Sequence, residues 1–175
     1  MNFKSIFVVL ITFSLLSFGL PKNLQKKVDK EIKATYNVES FTLNKITLSS
    51  EITEILPATF GPDNLFEIKS DNTPLGFAYV AKAPSKTDEF DYLVLLDAQL
   101  IVLKTKVLIY REDYGGEIGS KRWLKQFIGK TQHDELRYGD NIVAISGATI
   151  SVRSMTHAMN NVLASLKIIH EKHIL

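Results

Sequence analysis

The chain has 175 residues, 45% hydrophobic and 23% charged, which fits one globular domain with a real core and leaves little room for a second. Its 21 basic and 19 acidic residues give a net charge of +2, too small to draw in nucleic acid, so no nucleic-acid partner is expected. The absence of cysteine excludes disulfides, thiolate metal sites, iron–sulfur clusters and thiol redox chemistry, so any redox role needs a bound organic cofactor.

Residues 1–19 read as a secretory signal peptide. Lys4 gives a positive start, Ile6 to Leu20 is apolar, and Ser17-Phe18-Gly19 offers small residues where a signal peptidase cuts. The apolar run is short against the roughly 20 residues of a spanning helix, which favours a cleaved signal over a retained anchor. Either outcome puts the body of the protein outside the cytoplasm: periplasmic, or attached to the outer face of the cytoplasmic membrane.

Residues 20–62 are expected to hold a helix and a connecting segment. Leu24, Val28, Ile32 and Tyr36 recur every four residues, predicting a helix from Asn23 to Tyr36 with one apolar stripe docked on a sheet. From Phe41 to Leu56 no periodicity stands out, and Pro57 and Gly61-Pro62 mark a loop.

Residues 63–175 form the predicted main domain, of α+β class: an antiparallel sheet of hairpins packed with helices. Leu65 to Lys69 and Leu75 to Ala83 flank the turn cluster Asp71-Asn72-Thr73-Pro74, and Phe90 to Leu96 and Leu100 to Tyr110 flank Asp97-Ala98-Gln99. Val94 to Leu96 and Leu100 to Leu103 are apolar without alternation, as in a sheet centre covered by helices on at least one side. Trp123, Leu124, Phe127 and Ile128 fall at helical spacing, with Gly129 placed to end a short helix.

From Ser151 to about His170, Val152, Met155, Met159, Val162, Leu163, Leu166 and Ile169 recur at steps of three and four, predicting a long amphipathic helix. Before it stands Ser146-Gly147-Ala148-Thr149, preceded by apolar Ile142 to Ile145, which reads as a strand end, a tight turn and a helix start. The unpaired first amides of a helix and its dipole suit a phosphate, and Gly147 would allow close backbone approach. Ser and Thr are also ordinary N-caps, so the pattern alone leaves both readings open.

The run Ile145-Ser146-Gly147-Ala148-Thr149-Ile150-Ser151, followed by a long helix, resembles the FMN-binding domain family, whose members include flavin-carrying components of the sodium-translocating NADH:quinone oxidoreductase and of the Rnf electron-transport complex. A second similarity lies upstream, in the glycine loop from Tyr110 to Ile118 and in Trp123-Leu124-Lys125-Gln126-Phe127-Ile128-Gly129-Lys130. Two motifs in the right order are more specific than either alone, and the resemblance covers roughly Leu75 to Leu166.

The resemblance implies an electron-transfer flavoprotein, carrying FMN esterified through its phosphate to Thr149 by a separate flavin transferase that uses FAD and acts after export. Ser146, Gly147, Ala148 and Ser151 would then hold the phosphate, Arg153 would add a positive charge, and Glu112, Gly115 and Gly116 would form a loop over the flavin. Arg153 reads equally as an exposed helix charge, and the glycine loop as a plain connection. Where the family usually has an acidic residue three places before the serine, this chain has Val143, with Asp140 three residues further back. That departure bears on covalent attachment more than on flavin binding, since the same amides would hold FMN non-covalently.

Other motifs lead nowhere. Gly129-Lys130-Thr131 lacks the glycine five places earlier that a phosphate-binding loop needs, and Leu124 stands there. His170 and His173 have no convergent acidic partner, and Glu112, Asp113 and Glu117 no accompanying nucleophile. No nicotinamide fingerprint is present, so electrons are expected to pass to and from a redox partner protein or a membrane electron-transport complex. The alternatives are a non-redox cell-envelope accessory protein with a degenerate flavin site, which Val143 favours, and a small flavin reductase.

Overall fold

The computed structural model describes residues 20–61 and 63–175. The leader read from residues 1–19 lies outside the described residues. Among the described residues no helix is long and apolar enough to cross a membrane.

The chain begins with helix α1 (Lys22–Tyr36), followed by strand β1 (Thr42–Lys45), a short helix α2 (Ser50–Thr53), and strands β2 (Leu65–Ser70), β3 (Thr73–Pro84), β4 (Glu89–Asp97) and β5 (Val102–Ile109). A 3-10 turn over Gly116–Gly119, helix α3 (Lys121–Leu124), a second 3-10 turn over Lys125–Phe127 and the long helix α4 (Thr149–Glu171) complete it. The five strands form one antiparallel meander in sequence order, so the fold is α+β.

The sheet is covered on both faces. Leu24, Val28 and Ile32 of α1 pack on Phe66, Ile68, Val80, Leu93 and Leu95, while Val152, Met155, Met159, Val162, Leu163 and Leu166 of α4 share the other core with Phe90, Tyr92, Val94 and Leu96. Alternate residues of β4 therefore serve opposite cores, which is why this strand reads as apolar without alternation. Each fully buried aliphatic side chain contributes about 1.5–3 kcal/mol, so the three α1 anchors hold a helix that no side chain caps at its N-terminus. Tyr36 ends the stripe differently: it is half-buried, and its hydroxyl donates to the Leu96 carbonyl at 2.6 Å.

Several boundaries differ from the sequence reading for local reasons. Asp71 and Asn72 have φ of 48° and 64°, a two-residue type I′ turn, so Thr73 and Pro74 already belong to β3. Pro74 stands opposite Lys69 beside a register shift between Ile68 and Lys69, the kind of irregularity at which a sheet tolerates proline. β5 begins at Val102, not Leu100. The Asp97 carboxylate accepts from the amides of Gln99 and Ile101, and Leu100 takes a left-handed φ of 64° between them. Ile128 does not share the buried face of Trp123, Leu124 and Phe127; it is 54% exposed, because the helix tightens to 3-10 geometry before it.

The segment Ile142 to Ile145 is not a strand end. It is irregular chain with one isolated bridge, Tyr138 to Ile142; the backbone of Ile142 bonds to that of Arg137 and Gly139, while both backbone groups of Val143 are satisfied by side chains. Helix α4 starts two residues earlier than its apolar periodicity indicates, because the amides of the first turn need no apolar side chains.

Candidate functional site

The residues before α4 build a short platform. Gly147 has a φ of +81°, which calls for glycine, and a Cβ there would meet no protein atom within 4 Å. Ala148 is the N-cap of α4 and carries no side chain able to cap it. Its own amide donates to the Ile145 carbonyl at 3.2 Å, so the amides that open the helix are those of Thr149, Ile150 and Ser151, not Ala148. The ordinary capping reading of this motif therefore does not hold: neither Ser146 nor Thr149 occupies the cap. What remains is the dipole of a 23-residue helix with an exposed threonine as its first residue.

The two sequence motifs meet here. Gly115 has a φ of +82°, and a Cβ on it would lie 3.0 Å from the Ala148 Cβ and 3.0 Å from the Tyr110 hydroxyl, so the glycine loop touches the helix start directly. Tyr110 shares a 3.0 Å hydrogen bond with Ser151, which is buried in the first turn of α4. On the other side, Trp123 Nε1 donates to the Val143 carbonyl at 2.8 Å and the Val143 amide donates to Gln126 Oε1 at 2.8 Å. Trp123 and Gln126 thus hold both backbone groups of the residue three places before Ser146.

A cleft of about 680 Å³ opens at this junction, lined by Lys86, Thr87, Tyr110, Glu112, Asp113, Tyr114, and residues Gly147 to Ser151. That volume lies within the roughly 300–1,000 Å³ of ligand pockets. Of the residues proposed from sequence, Thr149, Gly147, Ala148, Ser151 and Glu112 line it. Gly115 stands behind its wall, while Gly116 opens the following 3-10 turn and does not line it. Ser146 lines a separate recess of about 500 Å³ with Trp123, Gln126, Val143 and Ile145. Arg153 does not line the cleft; its guanidinium lies 4.8 Å from the centre of the Tyr138 ring, a cation–π contact. Among the described residues that line the cleft, Lys86 is the one cation.

Glu112 also ties the loop to the neighbouring turn. Its carboxylate accepts from the Ser85 hydroxyl, the Thr87 amide at 2.7 Å, the Thr87 hydroxyl at 2.8 Å and the Asp88 amide at 3.2 Å. It clamps the β3–β4 turn that carries Lys86 and Thr87. These bonds, led by that from Ser85, hold its carboxyl down to about 2, against an ordinary value of 4.5. A depressed carboxylate stabilises the fold above its unfolded value and loses that contribution as pH falls towards the folded one. Glu112→Gln is therefore expected to lower the urea midpoint at pH 7, with the gap to wild type closing between pH 4.5 and about 2. Urea titrations at a series of pH values check this; a gap that does not narrow would show that the charge of Glu112 is irrelevant.

Sequence reasoning does not reach Lys86 and Thr87 as lining residues, since nothing local marks a turn that becomes a cleft wall only when the sheet assembles, and it assigns Tyr110, at the start of the glycine loop, no individual part. Tyr114 lies inside the glycine loop, but its place there gives it no role of its own.

Residues 86–164 match the model of the FMN-binding domain family. This stretch is similar to FMN-binding domains. The matched residues run from Lys86 on the cleft wall to the middle of α4, so they contain every residue lining the cleft. No curated protein matches the chain. The crystal structure of NqrC from Shewanella oneidensis superimposes with a TM-score of 0.48 at 20% identity, over 66% of this chain and 61% of that one. The chain thus spans about three fifths of the length of that protein.

The uncapped α4 start gives amides and a helix dipole to a phosphate, and the cleft beside it is lined by two tyrosines, Tyr110 and Tyr114.

Proposed function

We propose that the protein is an extracytoplasmic electron-transfer flavoprotein that carries FMN as a phosphodiester on Thr149. The observation that supports this best is the placement of Thr149 itself. It sits exposed at the first position of an uncapped 23-residue helix, beside a cleft, within a stretch of FMN-binding-domain sequence. Attachment from FAD would form the bond between Thr149 Oγ1 and the FMN phosphorus while the pyrophosphate bond breaks and AMP leaves; the hydroxyl proton goes to solvent. No electrons are exchanged in that step, and the remaining phosphate charge would lie against the Thr149, Ile150 and Ser151 amides.

The bound flavin supplies one- and two-electron chemistry, while the protein supplies placement and electrostatics. With no nicotinamide fingerprint in the chain, electrons would come from and go to a redox partner protein or membrane electron-transport complex. Export is supported by the apolar run from Ile6 to Leu20, and it would bring the chain to a flavin transferase outside the cytoplasm. The test is to produce the full chain with and without a flavin transferase and look for in-gel flavin fluorescence. Covalent flavin only with the transferase supports the reading. No flavin in either mode, covalent or after incubation with FMN, overturns it in favour of an accessory protein that keeps the fold without the cofactor.

Val143 provides a second measurement. Its side chain is 63% exposed while its backbone is held by Trp123 and Gln126, so the position presents a side chain outward on a fixed segment. If an acidic group there aids the transferase, Val143→Asp will raise the loaded fraction under limiting transferase. The stability change should stay within about 0.5 kcal/mol, since no contact in the core is altered. Identical loading time courses would show that Val143 is no handicap.

A further inference from the structure

The short loop Glu112-Asp113-Tyr114-Gly115 bridges the two walls of the cleft. Glu112 ties it to the 85–88 turn through four hydrogen bonds, and Gly115 presses it against Ala148 at the helix start. Between these two fixed points stands Tyr114, which lines the cleft yet is 83% exposed. The other cleft tyrosine is different in kind. Tyr110 is half-buried, its hydroxyl is engaged by Ser151 and its ring lies 6.1 Å from that of Phe90.

A large aromatic ring left in water on a tethered backbone is unusual, because its faces gain from stacking on another π system. Lining the same cleft as Thr149, it is positioned for the one flat aromatic group that a flavin offers. We propose that Tyr114 stacks on the isoalloxazine of the bound flavin and is the residue that covers it, a reading that rests on the FMN assignment above.

The chemistry gives a direct readout. A phenol in contact with an excited flavin passes it an electron and takes it back without light emission, so the flavin is dimmed and nothing is consumed. Phenylalanine stacks but is a much poorer donor, and leucine does neither. The flavin-loaded full chain should therefore be weakly fluorescent when folded and recover on denaturation. Compared per bound flavin, Tyr114→Leu should fluoresce severalfold more strongly in the folded state and lose much of the visible circular dichroism of the flavin. Tyr114→Phe should brighten while keeping that circular dichroism, and Tyr110→Phe should stay as dim as wild type. Equal folded fluorescence of loaded Tyr114→Leu and wild type, or a rise that appears in Tyr110→Phe alone, overturns the assignment to Tyr114. Failure of the FMN reading is separately visible as absence of flavin from wild type and variants alike.

Discussion

Thr149→Ala is expected to give a folded protein with no covalent flavin at all, even with an active transferase and ample FAD. The phosphodiester needs an oxygen at this position, and alanine has none. Structural damage does not confound the result: Thr149 is exposed, it is not the cap of α4, and its side chain forms none of the observed hydrogen bonds at the helix start. The stability change should therefore lie within about 0.5 kcal/mol. Thr149→Ser keeps the oxygen and should load, more slowly, because without the methyl group the hydroxyl is less restricted about χ1. Ser146→Ala should load close to wild type, since Ser146 lines the recess beyond the cleft and not the cleft itself. Peptide mass spectrometry of the fragment spanning Ser146 to Arg153 reads all three. Flavin mapped to Ser146 or Ser151, or a Thr149→Ala protein that remains covalently yellow, would sink the assignment while leaving the FMN-binding domain in place.

The helices and strands are legible wherever burial imposes a period. The α1 stripe and the α4 stripe are read directly because each packs one face against one side of the sheet. Legibility fails where geometry is set by polar groups. Nothing in the order of residues says that Asp97 would fold the β4–β5 turn around its carboxylate, or that Glu112 would reach back to residues 85–88. The site shows the same division. Thr149 and its small neighbours are identifiable as a motif, as is the glycine loop, but their contact at Gly115 and Ala148 depends on how β5 delivers the loop to the start of α4. Arg153 illustrates the converse: helical spacing puts it one turn from Thr149, and nothing in that spacing announces its contact with the Tyr138 ring.

Gly76→Ala should be the most damaging substitution in the sheet. Gly76 pairs with Ile68 on one side and Asp97 on the other, with a φ of +152°, and a Cβ there would lie 2.0 Å from the Leu96 carbonyl oxygen and 2.9 Å from the Tyr36 hydroxyl. The nearer contact is with backbone in the middle of a ladder, so no side-chain rotation relieves it. The farther one strikes the bond from Tyr36 to the same Leu96 carbonyl, which joins the last turn of α1 to the sheet. Backbone strain and overpacking of this kind each cost about 1–3 kcal/mol, so a loss of about 3 kcal/mol and a fall in Tm of roughly 6–12 °C are expected. Gly116→Ala is the control, since a Cβ there meets nothing within 4 Å. Gly76 lies near the start of β3 and the cleft is built on the turn after its end, roughly 30 Å along the strand. The fraction of Gly76→Ala that remains folded should therefore still accept flavin at Thr149, whereas the helix α1 docking it disturbs should show as earlier hydrogen exchange in residues 22–36. An unchanged Tm would mean that β3 and β4 do not pair in this register. A lower Tm with flavin loading lost even from the folded fraction would mean that the two ends of β3 are coupled, and that the cleft depends on the seat of α1.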